Sequence, residues 1–309
     1  MLTLKQLRYF EALSRLHHFG RAARECAISQ PALSMKIQEL EATLGLPLVE
    51  RRRNGVRLTS AGDEIARRAR SILTSVRDLS DYARNAAGTL SGGLVLGAIP
   101  SIAPYLLPAA LPLVRARHPA LELTLRETQT SILIGELLAG ELDTILLSLP
   151  VEHAEIATLA LFTDRFVLAA RSDASFDRSK PITPEILSRE NLLLLEDGHC
   201  LRDQALNLCQ SARAMRDRFG ASSLATLVQL VANGYGVTLL PEMAVPIEVS
   251  NDDRIALYRF AEPQPSRSIG LAWRRTSPQA ADFMALGEII TEVAAPLPEL
   301  TATRSPALV

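Results

Sequence analysis

The stretch that most narrows the possible folds is residues 19–44. Phe19 to Cys26 is long enough for a two-turn helix, and its inner face, Ala22, Ala23 and Cys26, carries only small side chains. A tight break at Ala27-Ile28 leads to Ser29, a strong helix N-cap, with Pro31 where a first helical turn tolerates it. The next helix places Leu33, Ile37, Leu40 and Leu44 within one narrow stripe. A short helix, a tight turn and a helix whose outer face holds Ser34, Met35 and Gln38 fit a helix-turn-helix, with Gln30, Pro31 and Lys36 near its entrance. Residues 4–16 precede it as a further helix, with Leu4, Leu7, Phe10 and Leu13 on one face.

After Gly45, the run Leu48–Leu58 reads as a hairpin around Asn54-Gly55, because both turn positions need positive φ. Arg51, Arg52, Arg53 and Arg57 decorate it, as a wing touching phosphates requires; a merely solvated charge run is the competing reading. Charge distribution favours the wing. The net charge is −1, yet residues 1–90 hold 15 Lys+Arg against 9 Asp+Glu, and residues 91–309 hold 18 against 25. A basic head on an acidic body implies that only the head meets a polyanion. Ser60-Ala61-Gly62-Asp63 has the form of a capping box opening a long helix. Within that helix Ile65, Ala69, Ile72, Val76, Leu79 and Ala83 step by fours and threes, a heptad seam that predicts pairing with a second copy of the chain. Packing on the chain's own body is the alternative. Gly88, Gly92 and Gly93 then mark a linker.

The head resembles the winged helix-turn-helix of LysR-type transcriptional regulators. The resemblance rests on Ser29-Gln30-Pro31-Ala32-Leu33-Ser34, then Leu40-Glu41, Leu44-Gly45 and Leu58-Thr59-x-Ala61-Gly62. It implies that Gln30, Pro31, Ser34 and Lys36 face the groove of double-stranded DNA while the wing arginines hold its backbone.

The body alternates strand and helix. Leu94, Val95, Leu96 and Ile99 form a buried strand, followed by a helix over about 102–117, a strand at 121–126, a helix at 131–139 and a strand at 144–149. The rhythm recurs with strands at 166–171 and 192–195, helices from about 201 and at 222–233, and a strand at 236–240. Such alternation predicts parallel sheets with crossover helices in two similar-sized lobes. The family resemblance implies the same: a mixed α/β chain with a helix-rich head, and a two-lobed body like periplasmic binding proteins, built of two βαβ subdomains. The division expected is head 1–60, dimerisation helix 61–90, regulatory body 91–300 and a loose tail 301–309.

Enzyme signatures are absent: no phosphate-binding glycine loop, nucleophile elbow or carboxylate pair stands out. No run of about 18 apolar residues suggests a membrane span, and the start of the chain lacks a secretory h-region. Three cysteines, Cys26, Cys200 and Cys209, are too few for a secreted disulfide framework, so thiols in a reducing cytoplasm are expected. The five histidines show no metal-ligand spacing with them, and neither metal nor cofactor is expected.

One segment of the body carries chemistry. An apolar run, Leu192 to Leu195, enters a turn, and Cys200 falls near the first turn of the next helix. Backbone N–H groups there favour a thiolate, as would a protonated His199 or Arg202 nearby. Peroxide oxidises a thiolate to a sulfenic acid, which a second thiol condenses with, and Cys209 is the obvious candidate. Nine residues of unbroken helix rise about 13.5 Å. A disulfide needs Cα atoms roughly 4.4–6.8 Å apart, so this pair can join only if the segment refolds. The bland alternative, two buried cysteines acting as small hydrophobes, is commoner for an arbitrary pair.

Glu196-Asp197-Gly198-His199-Cys200-Leu201-Arg202-Asp203-Gln204-Ala205 with Cys209 closely resembles the sensing motif of the peroxide-responsive OxyR branch of the LysR family. The resemblance implies that Cys200 is the peroxidatic and Cys209 the resolving cysteine, with Arg202 and Asp203 in support. It further assigns peroxide binding to Thr130, His199, Arg267 and Ser101, the last replacing the threonine that relatives carry after Ile-Pro. A plain N-cap is the competing role for Ser101 and Thr130, which both fall where strand gives way to helix. The reading that results is a cytoplasmic DNA-binding regulator, not an enzyme. It senses hydrogen peroxide, self-associates as a dimer or tetramer and contacts RNA polymerase. A LysR regulator with a small organic effector, and a cysteine peroxidase, are the rivals.

Overall fold

The computed structural model describes residues 1–52, 55–85, 89–208, 220–250 and 252–295 of the chain. They form two compact units, 1–84 and 85–309, taken in turn.

The first unit begins with α1 (Leu4–Leu16), α2 (Phe19–Glu25) and α3 (Gln30–Leu44). Thr3 caps α1 with a reciprocal bond to Gln6, and His18 Nδ1 accepts from the Gly20 and Arg21 N–H groups to cap α2. Ala27 takes a left-handed conformation (φ 54°) at the break, and Ser29 Oγ accepts from the Ala32 N–H at 3.3 Å. Phe10, Leu13, Ala22, Ala23, Cys26, Leu33, Ile37 and Leu40 are buried together, the predicted inner faces meeting in one small core. Leu4 departs from its predicted face: it is exposed at the start of α1.

β1 (Val49–Arg52) and β2 (Gly55–Leu58) pair antiparallel, with Arg52 opposite Gly55. Gly55 of the expected Asn54-Gly55 turn is the first residue of β2. Arg53 and Asn54 lie outside the described residues. The wing is held at its base, where Glu41 Oε1 accepts from the Leu48 and Val49 N–H groups, and the Val56 N–H donates to His17 O.

α4 (Ser60–Asn85) follows. Its cap is Thr59 rather than the expected Ser60, which is already helical: Thr59 Oγ1 accepts from the Gly62 N–H at 2.9 Å and donates to Pro47 O. A Cβ on Gly62 would sit 2.1 Å from Leu48 O, so only glycine lets this helix start against the wing. Gly62→Ala is expected to cost the head about 1–3 kcal/mol, through forced backbone movement. A thermal melt of residues 1–84 unchanged by the substitution would contradict it. Of the predicted seam, Ile72, Val76 and Leu79 are exposed on this chain, as is Tyr82.

The second unit opens with β3 (Gly92–Ala98), α5 (Ala103–Arg117), β4 (Leu121–Glu127), α6 (Thr130–Leu138) and β5 (Thr144–Leu149). Glycines 92 and 93 belong to the strand rather than a linker, and Gly88 lies outside the described residues. β3 lies between β4 and β5 and is parallel to both, as alternation predicts. Beyond β5 the expectation of parallel sheets fails. β6 is a 16-residue strand, Ile156–Arg171, so the predicted 166–171 is only its second half.

The rest of the unit is built around that strand. α7 (Cys200–Leu208), α8 (Leu224–Ala232), β7 (Thr238–Pro241), the one-turn α9 (Val245–Glu248), β8 (Ile255–Arg259), β9 (Ser266–Arg274) and α10 (Ala280–Ala294) complete the unit. β6 pairs antiparallel with β9 along its first half and with β7 and β8 along its second. β9 joins β5, also antiparallel. The long β6 therefore runs through both halves of a curled mixed sheet, and period-2 alternation carries no information on strand direction. Residues 192–195 make only single parallel bridges, Leu192 to Val237 and Leu195 to Ala221, not a strand of their own. Among the described residues, no helix is long and apolar enough to cross a membrane.

Candidate functional site

Because β3 and β4 are parallel and in register to Ala98–Glu127, their carboxyl ends open side by side. Chain leaving such ends lines a crevice by geometry alone. Ile99, Pro100 and Ser101 leave β3 there, and Gln129 and Thr130 lead into α6. The other wall comes from the second lobe: His199, Cys200 and Leu201 at the start of α7. The structure thus brings together five of the residues singled out in the sequence, Ser101, Thr130, His199, Cys200 and, behind Ser101, Arg267.

The loop before α7 is fastened at its start by two bonds. The Glu196 N–H donates to Ala221 O at 2.9 Å, and Gln129 Nε2 donates to Asp197 O at 3.2 Å. Gly198 is left-handed (φ 93°), and a Cβ there would lie 2.5 Å from Gln129 Oε1, so the turn requires glycine. Leu201 and Ala205 bury one face of α7, and Cys200 packs half-buried against the same core. Gln204 Nε2 donates to Ser148 Oγ at 2.6 Å, tying α7 to β5.

His199 is 7% exposed, and burial pulls its imidazole below the ordinary histidine value, partly opposed by Glu196. Burial thus favours the neutral imidazole over the protonated form that would assist a thiolate. Arg202 does not turn to the thiol either: Nη1 donates to Leu195 O at 2.9 Å and Nε pairs with Asp197 at 2.8 Å. Asp203 is exposed in the first turn of α7, where its charge suits the helix dipole. A base whose folded pKa is depressed binds more protons unfolded, so its contribution to stability is intact above about pH 6.5 and lost as pH falls. The imidazole of His199 is expected to titrate below 6.5 in an NMR pH series, and His199→Gln to weaken the body's loss of stability between pH 7 and pH 5. A His199 resonance titrating above 6.5 would contradict this.

Neither hydroxyl caps a helix. α5 begins after Ile102 and α6 after Gln129, both without a side-chain cap bond. Thr130 Oγ1 is instead buried without a hydrogen-bond partner at the crevice wall. A buried unpaired hydroxyl costs free energy that a bound oxygen ligand would return. Ser101 Oγ accepts from Arg267 Nη1 at 2.8 Å, and Arg267 Nη2 donates to Ser101 O at 2.9 Å. The same guanidinium is paired with Asp164 through Nε at 3.0 Å and Nη2 at 2.9 Å, both side chains fully inside the body. Asp164 and Gln129 are participants that sequence patterning misses. The one available signal is Asp164 itself, the single carboxylate in the 16-residue β6.

Cys209 lies outside the described residues, so its distance from Cys200 is not defined. Cys26 is buried in the core of the head, where burial pushes its thiol up. Among the described residues no cluster of three His, Cys, Asp or Glu forms a metal site.

In the head, Gln30 and Pro31 are exposed at the start of α3, and Ser34 and Lys36 are partly so one turn on. Lys36 Nζ pairs with Glu39 at 2.8 Å. Arg51 and Arg52 fall on β1.

Residues 4–63 match the family described as "Bacterial regulatory helix-turn-helix protein, lysR family", and residues 87–295 match the LysR substrate binding domain. The "Probable hydrogen peroxide-inducible genes activator" of Streptomyces viridosporus is 42% identical over 298 residues, 96% of each chain. Among solved structures, full-length OxyR of Pseudomonas aeruginosa carrying a cysteine-to-aspartate substitution superposes with a TM-score of 0.76 at 35% identity, covering 94% of this chain and 95% of that one. A Corynebacterium glutamicum OxyR cysteine-to-serine mutant, H2O2-bound, gives a TM-score of 0.66 at 35% identity over 96% and 93% of the two chains.

Proposed function

Since this chain belongs to the LysR family of bacterial regulators, within its branch of hydrogen peroxide-inducible genes activators, we propose that it is a DNA-binding transcription regulator that senses hydrogen peroxide by reversible oxidation of Cys200 to a disulfide with Cys209. The observation that carries this reading is the crevice itself: a thiol at a helix start facing a buried hydroxyl, Thr130 Oγ1, that lacks a partner.

The chemistry follows from the groups present. The sulfur anion of Cys200 attacks one peroxide oxygen; an S–O bond forms, the O–O bond breaks, and the departing oxygen takes a proton to leave as water. The hydroxyls of Ser101 and Thr130 orient the peroxide, and neutral His199 lends a neutral donor or acceptor beside them. Cys209 then attacks the sulfenic acid and expels a second water. A cellular dithiol returns two electrons and two protons to reset the pair.

In this reading the units divide the labour. Residues 1–60 bind DNA, with Gln30, Pro31, Ser34 and Lys36 toward the groove and Arg51, Arg52 and Arg53 toward phosphates. Lys36 must then exchange Glu39 for the polyanion. The exposed Ile72, Val76 and Leu79 of α4 pair with a second copy, and the two-lobed body, laid out like periplasmic binding proteins, adjusts the spacing of heads in a dimer or tetramer and their contact with RNA polymerase. To test this, genomic DNA fragments retained by the reduced chain are footprinted before and after one equivalent of hydrogen peroxide. The footprint is expected to change for the wild-type chain and to stay fixed for Cys200→Ser. An unchanged wild-type footprint would point to the small-effector alternative.

A further inference from the structure

Four segments that are distant in sequence meet behind the crevice. Asp164 sits mid-way along β6, Arg267 at the start of β9, Ser101 just after β3, and Met243 in the turn after β7. Arg267 is fully buried, and each of its three guanidinium nitrogens has a partner: Asp164 pairs with Nε and Nη2, Ser101 Oγ accepts from Nη1, and Ser101 O accepts from Nη2. Its guanidinium also lies 5.9 Å from the Phe166 ring centroid. Asp164 is held in turn, since its Oδ1 accepts from the Met243 N–H at 3.2 Å.

The consequence falls on Ser101. A hydroxyl has one donor and two acceptor positions. The guanidinium occupies an acceptor position and also grips the carbonyl of the same residue, so the O–H cannot point at Arg267 and is left to donate elsewhere, and Ser101 lines the crevice with Thr130 and Cys200. A serine without the methyl of threonine rotates more freely about χ1, which makes such a clamp more consequential in this chain. Burial works against the charge on Asp164, and Arg267 is the main group offsetting it, so the pair is held for geometry rather than for cheap stability.

We propose that Asp164 is a positioning residue for peroxide reduction: by fixing the Arg267 guanidinium it clamps Ser101 so that the serine hydroxyl donates a hydrogen bond to the peroxide attacked by Cys200. This rests on the peroxide-sensing reading above. In the attack the new S–O bond draws its electron pair from sulfur, and the O–O pair passes to the departing oxygen. The Ser101 donor stabilises the charge growing on that oxygen until a solvent proton completes water.

The test uses the full chain, reduced, with Cys200 oxidation by hydrogen peroxide followed by rapid quench and peptide mass spectrometry. Cys200 alkylation by iodoacetamide runs in parallel, because it reports thiol availability without needing a hydroxyl donor. Asp164→Asn is expected to slow peroxide oxidation on the order of 10- to 100-fold while alkylation stays within about twofold of wild type. Ser101→Ala should give a similar loss, and the double variant should be no slower than Ser101→Ala alone. Asp164→Glu, which keeps the charge, takes the place of Asp164→Asn if that chain does not fold, with a smaller peroxide-specific loss expected. Peroxide rates equal to wild type in the Asp164 variants, losses that multiply in the double variant, or parallel loss of alkylation would each overturn the proposal. A wild-type Cys200 that peroxide leaves unmodified would instead overturn the peroxide reading on which it rests.

Discussion

Arg267→Met is expected to lower the unfolding free energy of the regulatory body by about 3–5 kcal/mol at neutral pH, because it leaves a buried carboxylate without its countercharge. Asp164 is 4% exposed and already raised by burial, with Arg267 the largest opposing influence. Methionine fills much of the arginine volume, so the loss reports the charge rather than a cavity. The pH dependence has a definite sign. An acid whose folded pKa is raised binds more protons folded than unfolded, so stability falls as pH rises through that range. The variant's deficit is present in full above the raised folded pKa and shrinks as pH falls through it toward the ordinary aspartate value. Urea unfolding followed through Trp273, the single tryptophan, measures both chains at pH 7 and pH 5. A loss under about 1 kcal/mol at pH 7, or one that grows on acidification, would contradict the account.

The second large effect is on α7. In the structure the helix runs unbroken from Cys200 to Leu208, a rise of about 12 Å, whereas bonded cysteines need Cα atoms roughly 4.4–6.8 Å apart. A disulfide to the residue after Leu208 therefore breaks the helix. It also pulls at the burial of Leu201 and Ala205, the Gln204–Ser148 bond and the Arg202–Asp197 pair. Closing a loop of about ten residues shifts a two-state segment by roughly 2.5–3 kcal/mol, on the order of a hundredfold. Amide hydrogen exchange over residues 201–208 is thus expected to accelerate about 100-fold or more on oxidation, with no change in Cys200→Ser. Unaltered protection in a chain whose disulfide has formed would contradict the refolding.

How far these features were legible in the sequence depends on how local their causes are. α1 to α3 follow from side-chain periodicity and caps within a few residues, and Ser29 acts as its type predicts. β5 is recoverable because Thr144–Leu149 is a short apolar run flanked by breakers. The cap of α4 falls on Thr59 rather than Ser60 because the wing brings Pro47 O within reach of the threonine, a contact 12 residues distant. Antiparallel pairing in the second lobe depends on how β6 and β9 run through the sheet, which alternation does not encode. At the site, Cys200, His199 and Thr130 stand out as residue types in a motif. The Asp164–Arg267 pair spans 103 residues and exists only because two strands are neighbours. The charge state of His199 is likewise a matter of burial, invisible until the crevice is assembled.

Thiol mapping bears most directly on the central claim. Reduced chain is treated with about one equivalent of hydrogen peroxide, quenched by alkylation and digested, and the state of each cysteine is read by peptide mass spectrometry. The account predicts a rapid Cys200–Cys209 disulfide, reversed by dithiol and absent in Cys200→Ser, with Cys26 still a thiol in the core of the head. Cys200 and Cys209 both remaining free thiols after peroxide would contradict it.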